Sequence, residues 1–372
     1  MKGSVYKKRR PFDFWLFMTV TIMLSMGIIM VFSASAPFSY STYRDVYYIL
    51  KRQLLYAVIG FVAMLIVINM DYRIFGKLSP LLLVASIALL ILVLVPGIGI
   101  EENNSRRWLE LGVRFQPSEI AKLAVILFFS HSLSKGKDKL DSFFKGLVPY
   151  LLLVGIIAGL LLLEPHLSCT IIIIIIASII LFCAGAKIKH FIILFVPAAG
   201  AFAALIIKVD YMRARVLSFL DPWSDMQDTG YNAVQSLYAI GSGGVFGRGL
   251  GKSMQKFLYL PYPHNDFVFS VIAEELGFIG VLTIIILFMM FTWRGIKVAV
   301  NAPDLFGSLA AMGITSLITV QALLNIAVVT SSIPPTGVSL PFFSYGGTSL
   351  VSLMGAVGIL LSISRYSNYS RM

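Results

Sequence analysis

Apolar residues in this chain come in long blocks, without the alternation of a half-buried strand or the single stripe of a soluble amphipathic helix. Ten blocks stand out, at about residues 14–34, 53–70, 78–96, 117–133, 147–163, 168–185, 190–207, 267–292, 307–330 and 346–363. A bilayer core takes roughly 20 apolar residues per helix, and backbone in lipid must pair within its own segment or a closed barrel. The pattern therefore predicts an all-α polytopic membrane protein with ten transmembrane helices. The isoleucine run Ile171–Ile176 does not argue for a strand, because hydrocarbon offers it no sheet partner. Most connections are short. The exceptions are residues 97–116 and 208–266, and long irregular connections in compact proteins usually carry function. No internal repeat supports an inverted-repeat transporter.

Composition agrees with the pattern. Of 372 residues, 58% are hydrophobic and 13% charged, against about 25% charged in a soluble domain. That excludes a disordered chain and argues against a cytosolic enzyme. The net charge of +12 would invite a nucleic-acid partner on a soluble surface, but its placement points elsewhere. With Lys2, Lys7, Lys8, Arg9 and Arg10 on the cytoplasmic side, alternate connections add Arg73, Lys77, the lysines of 135–145, Lys187, Lys189, Arg294, Lys297, Arg365 and Arg371 to that face. The opposite face is nearly neutral. The positive-inside rule then predicts both termini cytoplasmic and both long connections outside, with membrane lipids and no nucleic acid as partners of the basic face. Ser33-Ala34-Ser35-Ala36 mimics a signal-peptidase site. The apolar run before it is longer than the about 7–15 residues of a signal peptide, so an uncleaved anchor is expected. Residues 1–372 read as a single integral membrane domain, with a large extracytoplasmic loop, 208–266, between helices seven and eight. Cys169 and Cys183 sit among isoleucine and leucine and read as apolar filler. The histidines at 131, 166, 190 and 264 lack zinc-ligand spacing.

Ionisable groups inside spans are expensive, so each is a candidate for function. Glu119 and Lys122 stand at i and i+3 near the outer end of helix four. They either neutralise each other so that the helix inserts, or Lys122 offers a cation to an anionic ligand while Glu119 holds it. The preceding segment favours the second reading: Ser105-Arg106-Arg107-Trp108 and Gln116-Pro117-Ser118 gather guanidiniums, an amphipathic ring and a helix start near one interface. Arginine forks suit phosphate oxygens, and a helix N-terminus adds partial positive charge. Arg52, opening helix two on the same side, joins them. A second constellation is Pro261-Tyr-Pro-His264-Asn265-Asp266, followed two turns deeper by Glu274 and Glu275. Asp266 is either a helix cap or a carboxylate held at the boundary as a general base. Of the two glutamates, one is expected to line a polar cavity and the other to pair with a neighbour. The run Gly241–Ser253 misses the Walker spacing, which needs glycine where Phe246 stands. It reads as flexible, membrane-skirting backbone after a short interfacial helix over Tyr231–Ile240. Pro341–Ser349, with Ser344, forms a polar, glycine-bearing mouth before helix ten.

Taken together, these motifs resemble the SEDS family of bacterial shape, elongation, division and sporulation proteins (FtsW/RodA/SpoVE). The resemblance rests on Asn104-Ser-Arg-Arg-Trp-Leu, Gln116-Pro-Ser-Glu-Ile-Ala-Lys122 and Gly230-Tyr-Asn-Ala-Val-Gln-Ser. It continues through Phe257-Leu-Tyr-Leu-Pro-x-Pro-His-Asn-Asp266-Phe, Ala273-Glu-Glu-Leu-Gly-Phe-Ile-Gly and Phe343-Ser-Tyr-Gly-Gly-Thr-Ser. Met30-Val-Phe-Ser-Ala-Ser-Ala, Pro303-Asp-Leu-x-Gly-Ser and Ile363-Ser-Arg-Tyr-Ser are similar to its division and sporulation branch. The resemblance implies a peptidoglycan glycosyltransferase that polymerises lipid II into a nascent glycan strand at the outer face of the bacterial cytoplasmic membrane. It also implies a class B penicillin-binding protein, a monofunctional transpeptidase, as partner. The family's essential acid before helix eight falls on Asp266, its arginine ahead of the tryptophan on Arg106, and its helix-four lysine on Lys122. Where the family often reads Gln-Pro-Asp-Leu-Gly, this chain has Glu164-Pro-His166-Leu-Ser168, and no catalytic role is assigned there.

The expected site thus has Asp266 as the catalytic base and Arg106, Lys122, Glu119, Arg52, Trp108, Gln116, His264 and Ser344 as substrate-binding residues. Asp266 deprotonates the acceptor sugar hydroxyl, and the cations receive the departing lipid diphosphate. A divalent cation, magnesium or manganese, is an alternative source of that charge, with no ligands assigned. The competing reading is a lipid II flippase whose headgroup path is lined by Glu119, Lys122, Glu274 and Glu275. A carrier needs polar groups spread through the membrane depth, whereas a surface enzyme needs them at one boundary.

Overall fold

In a computed structural model of the chain, the structure describes residues 10–367 except 103–104, 111–113, 137–142, 193–199, 201–207, 209–212, 214–215, 217–218, 228–229 and 258. The apolar blocks fold as helices: α1 (Phe14–Tyr43), α2 (Tyr48–Asn69), α3 (Arg73–Leu94), α4 (Pro117–Lys135), α5 (Val148–Leu163) and α6 (Leu167–Cys183). After the short helix α7 (Tyr231–Gly243) come α8 (Val268–Val300), α9 (Leu305–Val329) and α10 (Gly347–Ser364). Helices α1, α2, α3, α8, α9 and α10 are each long and apolar enough to cross a membrane, and α5 and α6 are shorter apolar helices. The chain is a multi-pass membrane protein. The block expected at 190–207 lies mainly outside the described residues.

Packing follows from which faces are apolar on both sides. Helices α4, α6 and α9 pack on one another in the middle of the bundle, while α2 lies along α10 and α1 along α8. Leu55, Val58, Val62 and Ile66 of α2 and Leu81 and Val84 of α3 stay exposed, as a lipid-facing surface requires. At one end of the bundle Asp13 caps α1, accepting from the Leu16 amide at 3.0 Å, and pairs with Arg294 of α8 at 2.5 Å. Its own amide donates to Ser364 of α10 at 3.0 Å. Arg73 meets Asp304, the cap of α9, at the same end. The first and last described residues are therefore neighbours.

Two regions differ from expectation. The 97–116 connection is a three-stranded antiparallel sheet, β1 (Gly99–Glu102), β2 (Ser105–Glu110) and β3 (Arg114–Phe115), paired in that order with Leu109 opposite both Gly99 and Phe115. The bundle is thus helical with a small sheet on it; outside hydrocarbon, strands can pair laterally and be capped by water. The glycine-rich run after α7 is equally far from loose. Helix α8 breaks at Gly277 (φ 65°, ψ −162°), and the run fills the break. The Arg248 and Gly249 amides donate to the Glu274 and Glu275 carbonyls at 2.9 Å, and the Phe278 amide donates to Gly244 at 2.9 Å. A Cβ on Gly247 would lie 2.2 Å from the Glu275 carbonyl oxygen, and one on Gly277 2.2 Å from the Gly247 nitrogen. Glycine here permits close approach of two backbones, with positive φ at both positions.

The side chains of Glu274 and Glu275 serve the same contact. Glu274 accepts from the Ser253 hydroxyl at 2.5 Å and the Met254 amide at 2.8 Å. Glu275 pairs with the Lys256 ammonium at 2.8 Å and accepts from Ser33 of α1 at 2.7 Å. Both are fully buried and both hold the loop; neither lines the main cavity. The Ser33-Ala34-Ser35-Ala36 segment lies within α1 as part of this core. Cys169 is buried as expected, whereas Cys183, at the last turn of α6, is exposed.

Breaking one side of a buried ion pair leaves the other charge uncompensated and costs about 3–5 kcal/mol. Lys256→Met should therefore lower the thermal unfolding midpoint of the detergent-solubilised protein markedly, and Lys256→Met with Glu275→Gln should recover much of the loss. Equal midpoints for wild type and Lys256→Met would show that the pair does not hold the loop.

Candidate active site

At the end of the bundle away from the Asp13–Arg294 pair, a cavity of about 430 Å³ opens between the sheet, the starts of α4 and α6, and the segments entering α8 and α10. Its α4 wall is built by Glu119 and Lys122. Helix α4 starts at Pro117, whose fixed φ suits a first turn, and the Gln116 amide is tied to the Thr348 hydroxyl at 3.2 Å. One turn in, the Lys122 ammonium meets Glu119 at 2.8 Å, with both side chains under one-tenth exposed. The i, i+3 pair forms as expected and also lines the cavity.

The sheet contributes Arg107 and Trp108. Arg107 donates to the backbone oxygens of Glu164 and Pro165, which pins the sheet to the α5–α6 turn and leaves the guanidinium at the cavity. Next to it, burial pushes the Glu164 carboxyl up to about 8, with Arg107 opposing. Burial, Arg107 and Lys122 together hold the His166 imidazole down to about 3, so it is neutral. The Glu164 oxygens and His166 Nδ1 are buried with no hydrogen-bond partner.

Asp266 faces these groups from the last turn before α8. Its backbone is fastened by Asn325 of α9, whose amide donates to the Asp266 carbonyl at 2.7 Å and to Val338 at 2.6 Å. Ser344 donates to the neighbouring Asn265 carbonyl at 2.6 Å. Gly337, at φ +73°, passes in front of the carboxylate, where a Cβ would sit 3.5 Å from Oδ2. Burial pushes the Asp266 carboxyl up to about 6, against the pull of Arg107. A carboxylate poised near neutrality thus shares one small chamber with the cations Arg107 and Lys122.

Of the expected site residues, Asp266, Glu119, Lys122, Trp108 and Gln116 line this cavity, and Arg106, Arg52, His264 and Ser344 do not. Ser105, Arg107 and Trp108 of β2 line the cavity, and Arg106 of the same strand does not. His264 is buried between the rings of Phe38 and Tyr345, at 5.0 and 5.9 Å. Burial holds it down to about 4, as a neutral packing group. Ser344 braces the mouth before α10 through the Leu340 amide and Asn265. Arg52 lies over Tyr48 at 4.8 Å and hydrogen-bonds the hydroxyl of Tyr345, itself a wall residue. Sequence reasoning grouped Arg107 with the guanidiniums ahead of α4 but carried only Arg106 into the expected site, left His166 without a role, and missed the clamp Asn325. Gln321 and Asn325, polar at i and i+4 within an apolar block, were the available signal for the last. Among the described residues no group of three or more His, Cys, Asp or Glu is placed to hold a metal ion.

The model of the FtsW/RodA/SpoVE family, described as "Cell cycle protein", matches residues 14–369. The chain belongs to the FtsW/RodA/SpoVE family. Its similarity to individual members runs end to end. "Stage V sporulation protein E" of Bacillus subtilis (strain 168) is 44% identical over 364 residues, 98% of this chain and 99% of that protein. "Probable peptidoglycan glycosyltransferase FtsW" of Geobacter sp. (strain M18) is 40% identical over 354 residues, 95% and 96% of the two. Among solved structures, a chain of "Structural coordination of polymerization and crosslinking by a peptidoglycan synthase complex" superposes with TM-score 0.81 at 30% identity, over 96% of this chain and 99% of that one. The crystal structure of Thermus thermophilus rod shape determining protein RodA superposes with TM-score 0.71 at 29% identity, over 96% and 98%. The FtsW/RodA/SpoVE fold here thus carries its cavity at one end of the bundle, with Glu274 and Glu275 engaged by the loop.

Asn325 joins the Asp266 segment to the segment entering α10 through two backbone carbonyls. Asn325→Leu leaves both acceptors unpaired, at about 1–3 kcal/mol each. The variant should lose thermal stability and open the 262–266 segment to protease. A midpoint unchanged from wild type would remove Asn325 as the clamp.

Proposed function

We propose that this chain is a peptidoglycan glycosyltransferase, polymerising lipid II into glycan strands for septal or spore-cortex wall synthesis. It acts at the outer face of the bacterial cytoplasmic membrane, in a ten-span topology with both termini inside and 208–266 outside. The observation that carries this reading is the placement of Asp266 across one cavity from Lys122 and Arg107. Asp266 takes the proton of the acceptor sugar hydroxyl, whose oxygen attacks the anomeric carbon of the donor. The bond to the lipid diphosphate breaks, and Lys122 and Arg107 receive the charge that develops on it. Glu119 keeps Lys122 aimed into the cavity. Like-named function in the FtsW relative supports the reaction. The crosslinking partner, a class B penicillin-binding protein, is supported by the match to a peptidoglycan synthase complex. A carrier is disfavoured, because the deeper glutamates are used up in holding a loop.

Purified protein, with its partner, should form polymer from lipid II. Removing a positioned base lowers such rates by about 10²–10⁴, and Asp266→Asn should fall in that range; polymer formed at the wild-type rate would exclude Asp266 as the base. The base works deprotonated, so the wild-type rate should rise with pH through about 6 and level off above it. That limb should be absent in the residual activity of Asp266→Asn. Arg107→Ala should lose far more activity than Arg106→Ala, and the reverse order would move the site to the other face of the sheet.

A further inference from the structure

Four residues ahead of Asp266 the chain makes a turn that the chemistry above does not use. Tyr262, between Pro261 and Pro263, has φ 47°, a left-handed conformation that a bulky residue adopts only when its surroundings impose it. Its carbonyl accepts from the Asn265 amide at 3.0 Å, so the turn closes directly onto the Asp266 segment. The effect is to set the Tyr262 ring on the rim of the cavity, 49% exposed. One edge leans on Phe38, at 5.6 Å between centroids. Phe38 in turn packs on His264, and His264 on Tyr345 of the cavity wall. The ring is therefore held firmly on one side and open on the other.

An aromatic anchor in a lipid interface needs neither a strained backbone nor a polar cavity beside it. Here the cavity next to the ring carries acceptors without partners. Gln321 is 3% exposed and lines the cavity, and its Oε1 has no hydrogen-bond partner; Oδ1 of Asn265, also on the lining, has none either. An open aromatic face next to unfilled acceptors matches a pyranose, which presents C–H groups on its face and hydroxyl and amide donors on its edge. We propose that Tyr262 is the stacking platform of a saccharide subsite at the cavity mouth, holding an uncharged amino-sugar residue of the acceptor beside Asp266. The subsite deepens the glycosyltransferase reading and takes from it the source of the sugar.

The full chain in lipid nanodiscs is titrated with the β-1,4-linked tetramer of N-acetylglucosamine, with binding read by calorimetry and no turnover needed. Wild type should bind saturably, Tyr262→Ala should bind about tenfold more weakly, a loss of ~1.4 kcal/mol, and Tyr262→Trp should retain binding. On lipid II, Tyr262→Ala should give shorter glycan strands than Tyr262→Trp. No tetramer binding by wild type overturns the subsite, as does equal binding by Tyr262→Ala. A loss in Tyr262→Trp as large as in Tyr262→Ala also overturns it, because the residue would then serve the turn alone. Wild type that binds the tetramer but forms no polymer leaves the subsite standing and removes the polymerase reading. Wild type that polymerises without binding the tetramer does the opposite.

Discussion

Hydrocarbon offers no hydrogen bonds, so a charge carried into a membrane bundle has to be met by a partner carried with it. Much of this structure is an answer to that constraint. Glu274 and Glu275 enter the bundle at the break in α8, and a whole segment of loop follows them to supply amides, a hydroxyl and an ammonium. Glu119 enters with Lys122 one turn along the same helix. Asp13 and Arg294 close the opposite end. Around the cavity the pairing thins out: Asp266 shares a common space with Arg107, and His166 Nδ1 and Gln321 Oε1 on the wall have no hydrogen-bond partner. Incomplete satisfaction of buried polar groups beside a cavity is what marks that place as a candidate site.

The same constraint explains the position of Asp266. Asp266 is not held by regular secondary structure; it lies on irregular chain between a broken helix and a proline turn. It is held by attachment on all sides: Asn325 and Ser344 at its backbone, and upstream the loop fastened to the α8 break. Irregular backbone survives at this depth only when buried in protein or lining a cavity, and this segment does both. A carboxylate so placed loses solvation, which raises its proton affinity toward neutrality, while Arg107 across the chamber keeps it from rising further. Burial and one guanidinium thus set the proton affinity of Asp266 together.

How far this was legible depended on whether the signal was local. The apolar blocks and the Glu119–Lys122 spacing were, because span length and the i, i+3 geometry follow from sequence neighbours alone. The short helix starting at Tyr231 was as well, because its amphipathic pattern is local. The partner of Glu275 was not, since nothing near residue 275 points to Ser33 on α1 or to Lys256. Glycine density in 241–253 suggested freedom, yet glycine serves equally for two backbones in contact, and sequence does not distinguish these uses. The resemblance put Arg106 at the site, while Arg107 is the arginine on the cavity wall; nothing local in the sequence says which of two adjacent arginines turns inward. His264 and Ser344 were correctly placed near the site but as its braces, because proximity in sequence to Asp266 says nothing of which way a side chain turns.

The cavity's charge balance also limits what it can accept. Lys122 is already matched by Glu119 at 2.8 Å, so its charge is fixed in direction without being free to migrate, and Arg107 is spread between two backbone carbonyls and the chamber. An anion entering here meets oriented donors that need no reorganisation as charge develops, which is the arrangement that favours a transition state over a ground state. The +12 of the whole chain does not describe this cavity: what an entering group meets is the orientation of Lys122, Arg107 and the Asp266 carboxylate, each fixed by contacts that the apolar surroundings oblige it to have.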